Sequence, residues 1–145
     1  MKKKINSSLI LFVLGLNLSL AQGVFGRWKT VDDQSGEARA IVHVYEENGS
    51  MYAVIEKLLD KGRENAVCEK CEGVKKDQPI VGMKIMEGLK ESSDGEWKGK
   101  TLLDPETGTV YRCKVWLNPE NRDELKVRGY VAFLYRTQTW HRLKE

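Results

Sequence analysis

Residues 38–58 read ARAIVHVYEENGSMYAVIEKL, and this stretch decides the fold class. Its centre is Asn48-Gly49, the dipeptide that most favours a two-residue turn between antiparallel strands. With the turn at these residues, small apolar side chains oppose one another on one face of the hairpin. Because a slip of one residue would destroy this match, we expect that face to point into the protein. The predicted pairs are Val42 with Ile55, Val44 with Ala53 and Glu46 with Met51 on this face, and His43 with Val54 and Tyr45 with Tyr52 on the other.

Short runs of the same kind recur along the chain, separated by clusters of Gly, Asn, Asp, Ser and Pro. Eight such runs in simple succession predict an all-β fold, an eight-stranded antiparallel up-and-down barrel, because closure leaves no exposed sheet edge. One long irregular segment, Leu59–Pro79, interrupts the succession. The expected strands are Gly26–Val31, Ala38–Glu46, Met51–Leu58, Ile80–Leu89, Glu96–Leu103, Thr109–Leu117, Glu124–Val131 and Tyr135–Leu143.

Strict alternation along the sixth and seventh runs predicts one face toward the core and one toward solvent. The expected inward residues are Tyr111, Cys113, Val115, Leu117, Leu125, Val127, Gly129 and Val131. The expected outward residues are Arg112, Lys114, Trp116, Lys126, Arg128 and Tyr130.

The first 21 residues have the pattern of a cleaved secretory signal peptide. Lys2, Lys3 and Lys4 precede an apolar stretch, Leu9–Leu20, which is too short for a bilayer span of about 20 residues and ends in Ser19-Leu20-Ala21. We therefore expect export to the periplasm or outside the cell, and a single domain over residues 22–145. No membrane span is expected in that domain.

The charge of the exported part is close to zero. Lys+Arg falls from 24 to 21 once the three leader lysines are removed, which equals the 21 Asp+Glu. No basic run remains that would indicate binding to nucleic acid or to an anionic membrane surface. Neither kind of partner is therefore expected.

Three cysteines carry the most specific chemical expectations. In an exported protein, Cys68 and Cys71 are expected to form a disulfide, and Cys113, on an apolar strand face, to be a buried free thiol. A redox-active pair would need an electropositive helix N-terminus, but Glu69 and Glu72 flank these cysteines. Zinc is a further alternative, although it usually takes four ligands, and no second Cys-x-x-Cys is present. No metal and no cofactor is expected.

Gly26-Arg27-Trp28, at the start of the first strand, resembles the Gly-x-Trp of lipocalin-type barrels in the calycin superfamily. That resemblance implies that Trp28 plugs the closed end of the barrel, under an arginine from the last strand. Such a contact is worth roughly 0.5–2 kcal/mol. The candidate is Arg142, and the second candidate is Arg136.

A longer series of motifs resembles the exported bacterial family called domain of unknown function 2147. The resemblance spans the exported part of the chain and implies a small lipocalin-like barrel that binds a small molecule. It brings no catalytic residues. The motifs are Cys68-x-x-Cys71, Pro79-Ile80-Val81-Gly82, Met83–Leu89, Trp97-Lys98-Gly99, Asp104-Pro105-x-x-Gly108-x-x-Tyr111, Leu125-x-Val127-Arg128-Gly129-Tyr130 and Arg136-Thr137-Gln138-Thr139-Trp140.

No motif in the sequence indicates an enzyme. His43 and His141 lie within strands beside aromatic residues and are expected on the surface or in packing. Neither Gly-x-Ser-x-Gly nor a phosphate-binding glycine loop occurs.

The expected function is binding of a small apolar or amphipathic molecule inside the barrel, whose interior is wide enough for one ligand or for packed side chains. The small interior residues Ala38, Ala40, Ala53 and Gly129 favour free space. One alternative is a protein-interaction module that uses the outward aromatics Trp116, Tyr130, Tyr45 and Tyr52, and another is a thiol-redox factor. The candidate ligand-binding residues are Trp28, Val42, Val44, Ala53, Ile55, Tyr111, Val115 and Val127.

Overall fold

The computed structural model describes residues 23–92 and 95–144. Within them the chain forms a closed barrel in which each strand pairs antiparallel with the next and β8 pairs with β1. This confirms the predicted fold class. The strands are β1 (Gly26–Val31), β2 (Ala38–Glu47), β3 (Ser50–Leu58), β4 (Lys84–Glu91), β5 (Trp97–Asp104), β6 (Thr109–Asn118), β7 (Asn121–Val131) and β8 (Leu134–Arg142), and a 3-10 turn covers Gly73–Lys75. The expected leader, residues 1–21, lies outside the described residues.

The β2–β3 hairpin has the register that its sequence predicts. Asn48 and Gly49 form the turn with φ angles of 50° and 77°, the left-handed conformation that a two-residue hairpin turn requires. All five predicted pairs are present, from Val42 opposite Ile55 to Glu46 opposite Met51. The inner-face residues Val42, Val44, Ala53 and Ile55 are buried.

The start of β4 differs from the prediction. The apolar run Ile80–Leu89 predicts a strand from Ile80, but β4 begins at Lys84. Gly82, with φ 91°, turns the chain, and its N–H donates to the Ile55 carbonyl at 2.7 Å. Ile80 is buried from this loop, so its apolar character reflects core packing and not a strand.

The alternation predicted for β6 and β7 holds through most of their length. Cys113, Val115, Leu125 and Val127 are buried, and Tyr111, Leu117 and Gly129 are half-buried. Val131 was expected to be interior but is 55% exposed. The reason is its height: β7 ends there, beyond the packed part of the core.

One end of the barrel is closed by Trp28 and Arg142. The Trp28 ring is fully buried, its indole N–H donates to the Val24 carbonyl at 2.9 Å, and the Arg142 guanidinium lies 4.3 Å from the ring centroid. β1 pairs with β8 at these two residues and at Lys29 with His141. The Trp–Arg contact therefore lies on the seam that closes the barrel. Arg136, the second candidate, lies elsewhere, with its Nε 3.0 Å from Asp33.

The other end carries the β1–β2, β5–β6 and β7–β8 turns and the long β3–β4 segment. That segment folds against the β5–β6 turn: Cys68 Sγ lies 3.2 Å from the Pro105 carbonyl oxygen. Gly108, with φ 72°, is so close that a Cβ placed on it would lie 2.0 Å from the Lys70 carbonyl oxygen. A side chain at position 108 would therefore push this segment away.

Two glycines allow this contact to be tested. Gly36 and Gly108 occupy equivalent turns, since each N–H bonds to the carbonyl of an aspartate four residues earlier, and their φ angles are 73° and 72°. A Cβ placed on Gly36 would have no atom within 4 Å beyond its chain neighbours. Gly36→Ala should cost about 1–2 kcal/mol of unfolding free energy for the left-handed backbone alone. Gly108→Ala should cost about 1–3 kcal/mol more for the steric clash.

Chemical denaturation of both variants measures the difference. Equal losses would show that the long segment does not pack against Gly108.

Candidate functional site: a cavity at the open end of the barrel

The open half of the barrel contains a cavity of about 550 Å³. This volume lies within the range of about 300–1,000 Å³ typical of small-molecule sites. Each strand of the barrel contributes residues to the walls, and the long β3–β4 segment contributes Ile80. The apolar lining includes Ala40, Ile55, Leu58, Ile80, Ile85, Leu102, Leu103, Val127, Gly129 and Trp140.

Few polar groups reach the cavity walls below the rim. Gln138 is one, and its Oε1 accepts a hydrogen bond from the Trp140 indole N–H at 3.2 Å. This bond fixes the amide, and leaves its two N–H donors without a partner among residues 23–92 and 95–144. Tyr111 and Thr30 also line the cavity. The interior can thus surround an apolar body and donate to one polar group on it.

The free space is confined to one half because large side chains fill the other. Trp28, Met51, Met86 and Leu89 are completely buried near the closed end. Gly99 on β5 leaves room for the Leu89 side chain of the neighbouring β4, since a Cβ at position 99 would lie 2.9 Å from Leu89 Cγ. The barrel interior is therefore filled at the end closed by Trp28 and open at the other end.

Charged side chains in ion pairs surround the mouth. Arg39 bonds to Glu106 and lies 3.4 Å from Asp60, and Arg63 lies 3.3 Å from Glu106. Burial lowers the pKa of Arg39, but Glu106 and Asp60 outweigh it, so the pKa is raised above its ordinary value. Arg39 thus stays cationic at every physiological pH.

Across the mouth, Asp33 accepts from Arg136. The neighbouring Asp32 accepts backbone N–H bonds from Ser35 at 2.8 Å and Gln34 at 2.9 Å. These bonds, Ser35 first, lower the pKa of the Asp32 carboxyl. Asp32 thus serves to shape the β1–β2 turn.

The eight candidate ligand-binding residues fall into two groups. Three line the cavity: Ile55, Tyr111 and Val127. The other five lie in the core outside the cavity lining: Trp28, Val42, Val44, Ala53 and Val115. Alternation along a strand shows which side chains point inward, but it does not show which of them border free space. Ile55 and Val127 line the cavity, whereas their cross-strand partners Val42 and Val115 do not.

Other lining residues were not among the candidates taken from the sequence. Gln138 and Trp140 lie on the inner face of β8, opposite Val127 and Leu125 of β7. Extending the alternation of β7 across the hairpin to β8 would have found them. Ile80 gives no such signal, because the loop that inserts it has no periodicity.

The cysteines have the expected arrangement. Cys68 and Cys71 form a disulfide with a Cα–Cα distance of 5.4 Å, and both are buried against the β5–β6 turn. Cys113 is a buried free thiol, and burial raises its pKa to about 12. Since the thiolate is the reactive form, Cys113 is inert near neutral pH.

The remaining candidates lie on the outer surface. His43 Nδ1 is 3.5 Å from Glu56, and His141 is half-buried. The outward aromatics form two separate groups. Tyr45 is stacked on Tyr52 with 5.7 Å between the ring centroids, and Trp116 and Tyr130 lie on β6 and β7. Within the described ranges, no three His, Cys, Asp or Glu side chains are grouped for metal binding, and no helix is long and apolar enough to cross a membrane.

A closed eight-stranded antiparallel barrel, plugged by Trp28 and Arg142 at one end and open over a cavity at the other, has a lipocalin-like fold. A solved structure is similar: protein HP1028 from Helicobacter pylori, described as belonging to the lipocalin family, with a TM-score of 0.69, 20% identity and 83% of each chain covered. The chain belongs to the family described as uncharacterized protein conserved in bacteria (DUF2147), whose model matches residues 26–142. No curated protein matches.

Thiol counting tests the arrangement of the cysteines. We expect no thiol to react with Ellman's reagent in the folded protein, because Cys113 is buried with a pKa of about 12. One should react after unfolding without reductant, and all three after reduction. Three reactive thiols in unreduced, unfolded protein would contradict the disulfide.

Proposed function

We propose that this protein binds a small apolar or amphipathic molecule in the barrel cavity, without a catalytic step. The single observation that carries the proposal is the cavity of about 550 Å³, whose inner walls are apolar and whose mouth is charged. Burying the apolar surface of a ligand there is favourable by roughly 25 cal/mol per Å². The fold of HP1028 from H. pylori, a protein described as a lipocalin, supports the same class of function.

The cavity chemistry describes the ligand. The apolar body of the ligand would contact the side chains of Ala40, Ile55 and Val127. An acceptor atom on the ligand would accept a hydrogen bond from the free N–H groups of Gln138. The Gln138 side chain is half-buried, and a ligand that displaces water from it would need a matching acceptor, because a donor left unpaired by burial costs about 1–3 kcal/mol. The expected ligand is therefore mostly apolar with at least one hydrogen-bond acceptor.

The two alternative functions have less support. A thiol-redox factor needs an accessible sulfur, whereas Cys68 and Cys71 are 0% and 3% exposed. A protein-interaction module built on Tyr45, Tyr52, Trp116 and Tyr130 would need them in one patch, whereas they lie on β2–β3 and β6–β7. The proposal includes export, on the basis of residues 1–21, so that the protein acts in the periplasm or outside the cell.

Substitutions at Gly129 test whether the cavity is the binding site. Gly129 lines the cavity, and a Cβ there would make ordinary contacts, 3.5 Å from Tyr111. Gly129→Ala should therefore keep the cavity, whereas Gly129→Leu should fill part of it. We expect Gly129→Leu to weaken binding of the neutral apolar fluorophore N-phenyl-1-naphthylamine by about tenfold or more, and Gly129→Ala to bind nearly as the wild type does.

Fluorescence titration gives the affinities, and thermal unfolding confirms that both variants are folded. Absence of binding by the wild type, or equal binding by the Leu variant, would overturn the proposal.

A further inference from the structure

The β7–β8 turn is an apolar projection beside the mouth. It consists of Ala132 and Phe133 between the last residue of β7, Val131, and the first of β8, Leu134. Phe133 is 90% exposed, Leu134 64% and Val131 55%. Val110, 56% exposed, lies on the outer face of β6, two positions before Arg112. These residues are here called the apolar tip.

The composition of this turn is unusual for its conformation. Ala132 has φ 52°, whereas Gly36 and Gly108 supply the left-handed residues of the neighbouring turns. A left-handed alanine beside an exposed phenylalanine stabilises neither the turn nor the core. Positions that break local rules in this way are expected at functional sites.

Cationic side chains lie directly behind the tip. Arg112 donates to the Ala132 carbonyl at 3.3 Å, and its guanidinium carbon lies 5.7 Å from the centroid of the Tyr130 ring. Arg128 lies over Tyr135 at 4.3 Å and over Trp116 at 5.0 Å. Within residues 23–92 and 95–144 neither guanidinium has a carboxylate in ion-pair contact. The sequence has no basic run, but the pairing of β6 with β7 and of β7 with β8 brings these two arginines together with two tyrosines and a tryptophan.

We propose that the apolar tip docks this protein onto an anionic lipid membrane, with Phe133 in the acyl boundary and Arg112 and Arg128 on lipid phosphates. The dimensions fit: Phe133 lies two residues beyond the Tyr135 level, or about 6–7 Å at strand rise, and interfacial segments insert about 5–10 Å. Tyrosine and tryptophan rings are enriched at this boundary. This proposal departs from the expectation from the sequence, in which no basic run indicates an anionic membrane surface.

The convex shape of the tip favours a bilayer over a protein partner, because protein hot spots lie in well-packed, desolvated pockets. Among the residues that the structure describes, this part of the rim suits an anionic surface best. The remaining rim carries five carboxylates and three arginines, so the protein would tilt onto β6–β8. The rim residues are Asp32, Asp33, Asp60, Asp104, Glu106, Arg39, Arg63 and Arg136.

Docking would bring the mouth to the lipid surface, because Val131 and Leu134 of the apolar tip also line the cavity, as does the adjacent Tyr135. An apolar ligand could then pass between bilayer and cavity without crossing water. This consequence rests on the proposed ligand-binding function, whereas the docking itself does not.

Vesicle sedimentation tests the docking, with phosphatidylcholine vesicles that contain phosphatidylglycerol and with phosphatidylcholine alone. The matched variants are Phe133→Ser and Val74→Ser, since Phe133 and Val74 are 90% and 91% exposed and Val74 lies in the 3-10 turn. Neither lines the barrel cavity. All proteins are isolated in the same way, so that residues 1–22 contribute equally.

We expect the wild type and Val74→Ser to bind anionic vesicles more tightly than neutral ones, and less tightly at high salt. Phe133→Ser should lose binding by at least about tenfold. In Phe133→Trp, indole fluorescence should shift to the blue on anionic vesicles, and in Val74→Trp the added indole should not respond. Equal vesicle binding by the two serine variants, no lipid-charge preference, or self-association lost in Phe133→Ser without vesicle binding would overturn the proposal.

The two proposals fail separately. Phe133→Ser should keep its affinity for N-phenyl-1-naphthylamine in the absence of lipid, and Gly129→Leu should keep its vesicle binding. A wild-type protein that binds anionic vesicles but not the probe would contradict the cavity function alone, and one that binds the probe but not anionic vesicles would contradict the docking alone.

Discussion

The contact between the Arg142 guanidinium and the Trp28 indole closes the barrel, and the rest of the structure depends on this closure. β1 and β8 pair at Trp28 with Arg142 and at Lys29 with His141, whereas β7 and β8 pair from Glu124 to Val131. Arg142 strengthens the short seam because it also donates to the backbone carbonyls of Gly23 and Arg122, each at 2.9 Å. A buried cation is tolerated there because its donors are satisfied.

Closure at one end determines where free space can exist. Completely buried large side chains fill the half beside Trp28, so the small residues Ala40 and Gly129 leave a cavity in the other half. The segment held by the Cys68–Cys71 disulfide packs on the β5–β6 turn at Gly108 and places Ile80 in the cavity wall. The mouth is therefore the natural entrance, and the apolar tip lies on its edge.

The sequence predicts the barrel well because its signals are local. Asn48-Gly49 sets the register of β2 and β3, and alternation sets the inner faces of β6 and β7. It predicts the site less well because the site depends on how side chains from different strands fill the interior, and on loops. Val115 and Val127 are cross-strand partners and both are interior, yet only Val127 lines the cavity. Ile80 resembles a strand residue but packs from a loop, and Arg112 and Arg128 become neighbours only when β6 pairs with β7.

Native mass spectrometry of the protein isolated from its own host tests the central claim most directly. If the open half of the barrel holds a ligand, the folded protein should carry a small, mainly apolar molecule with a hydrogen-bond acceptor, released on unfolding. A folded protein that carries no such molecule, and takes up none from a lipid extract of the same host, would contradict the account.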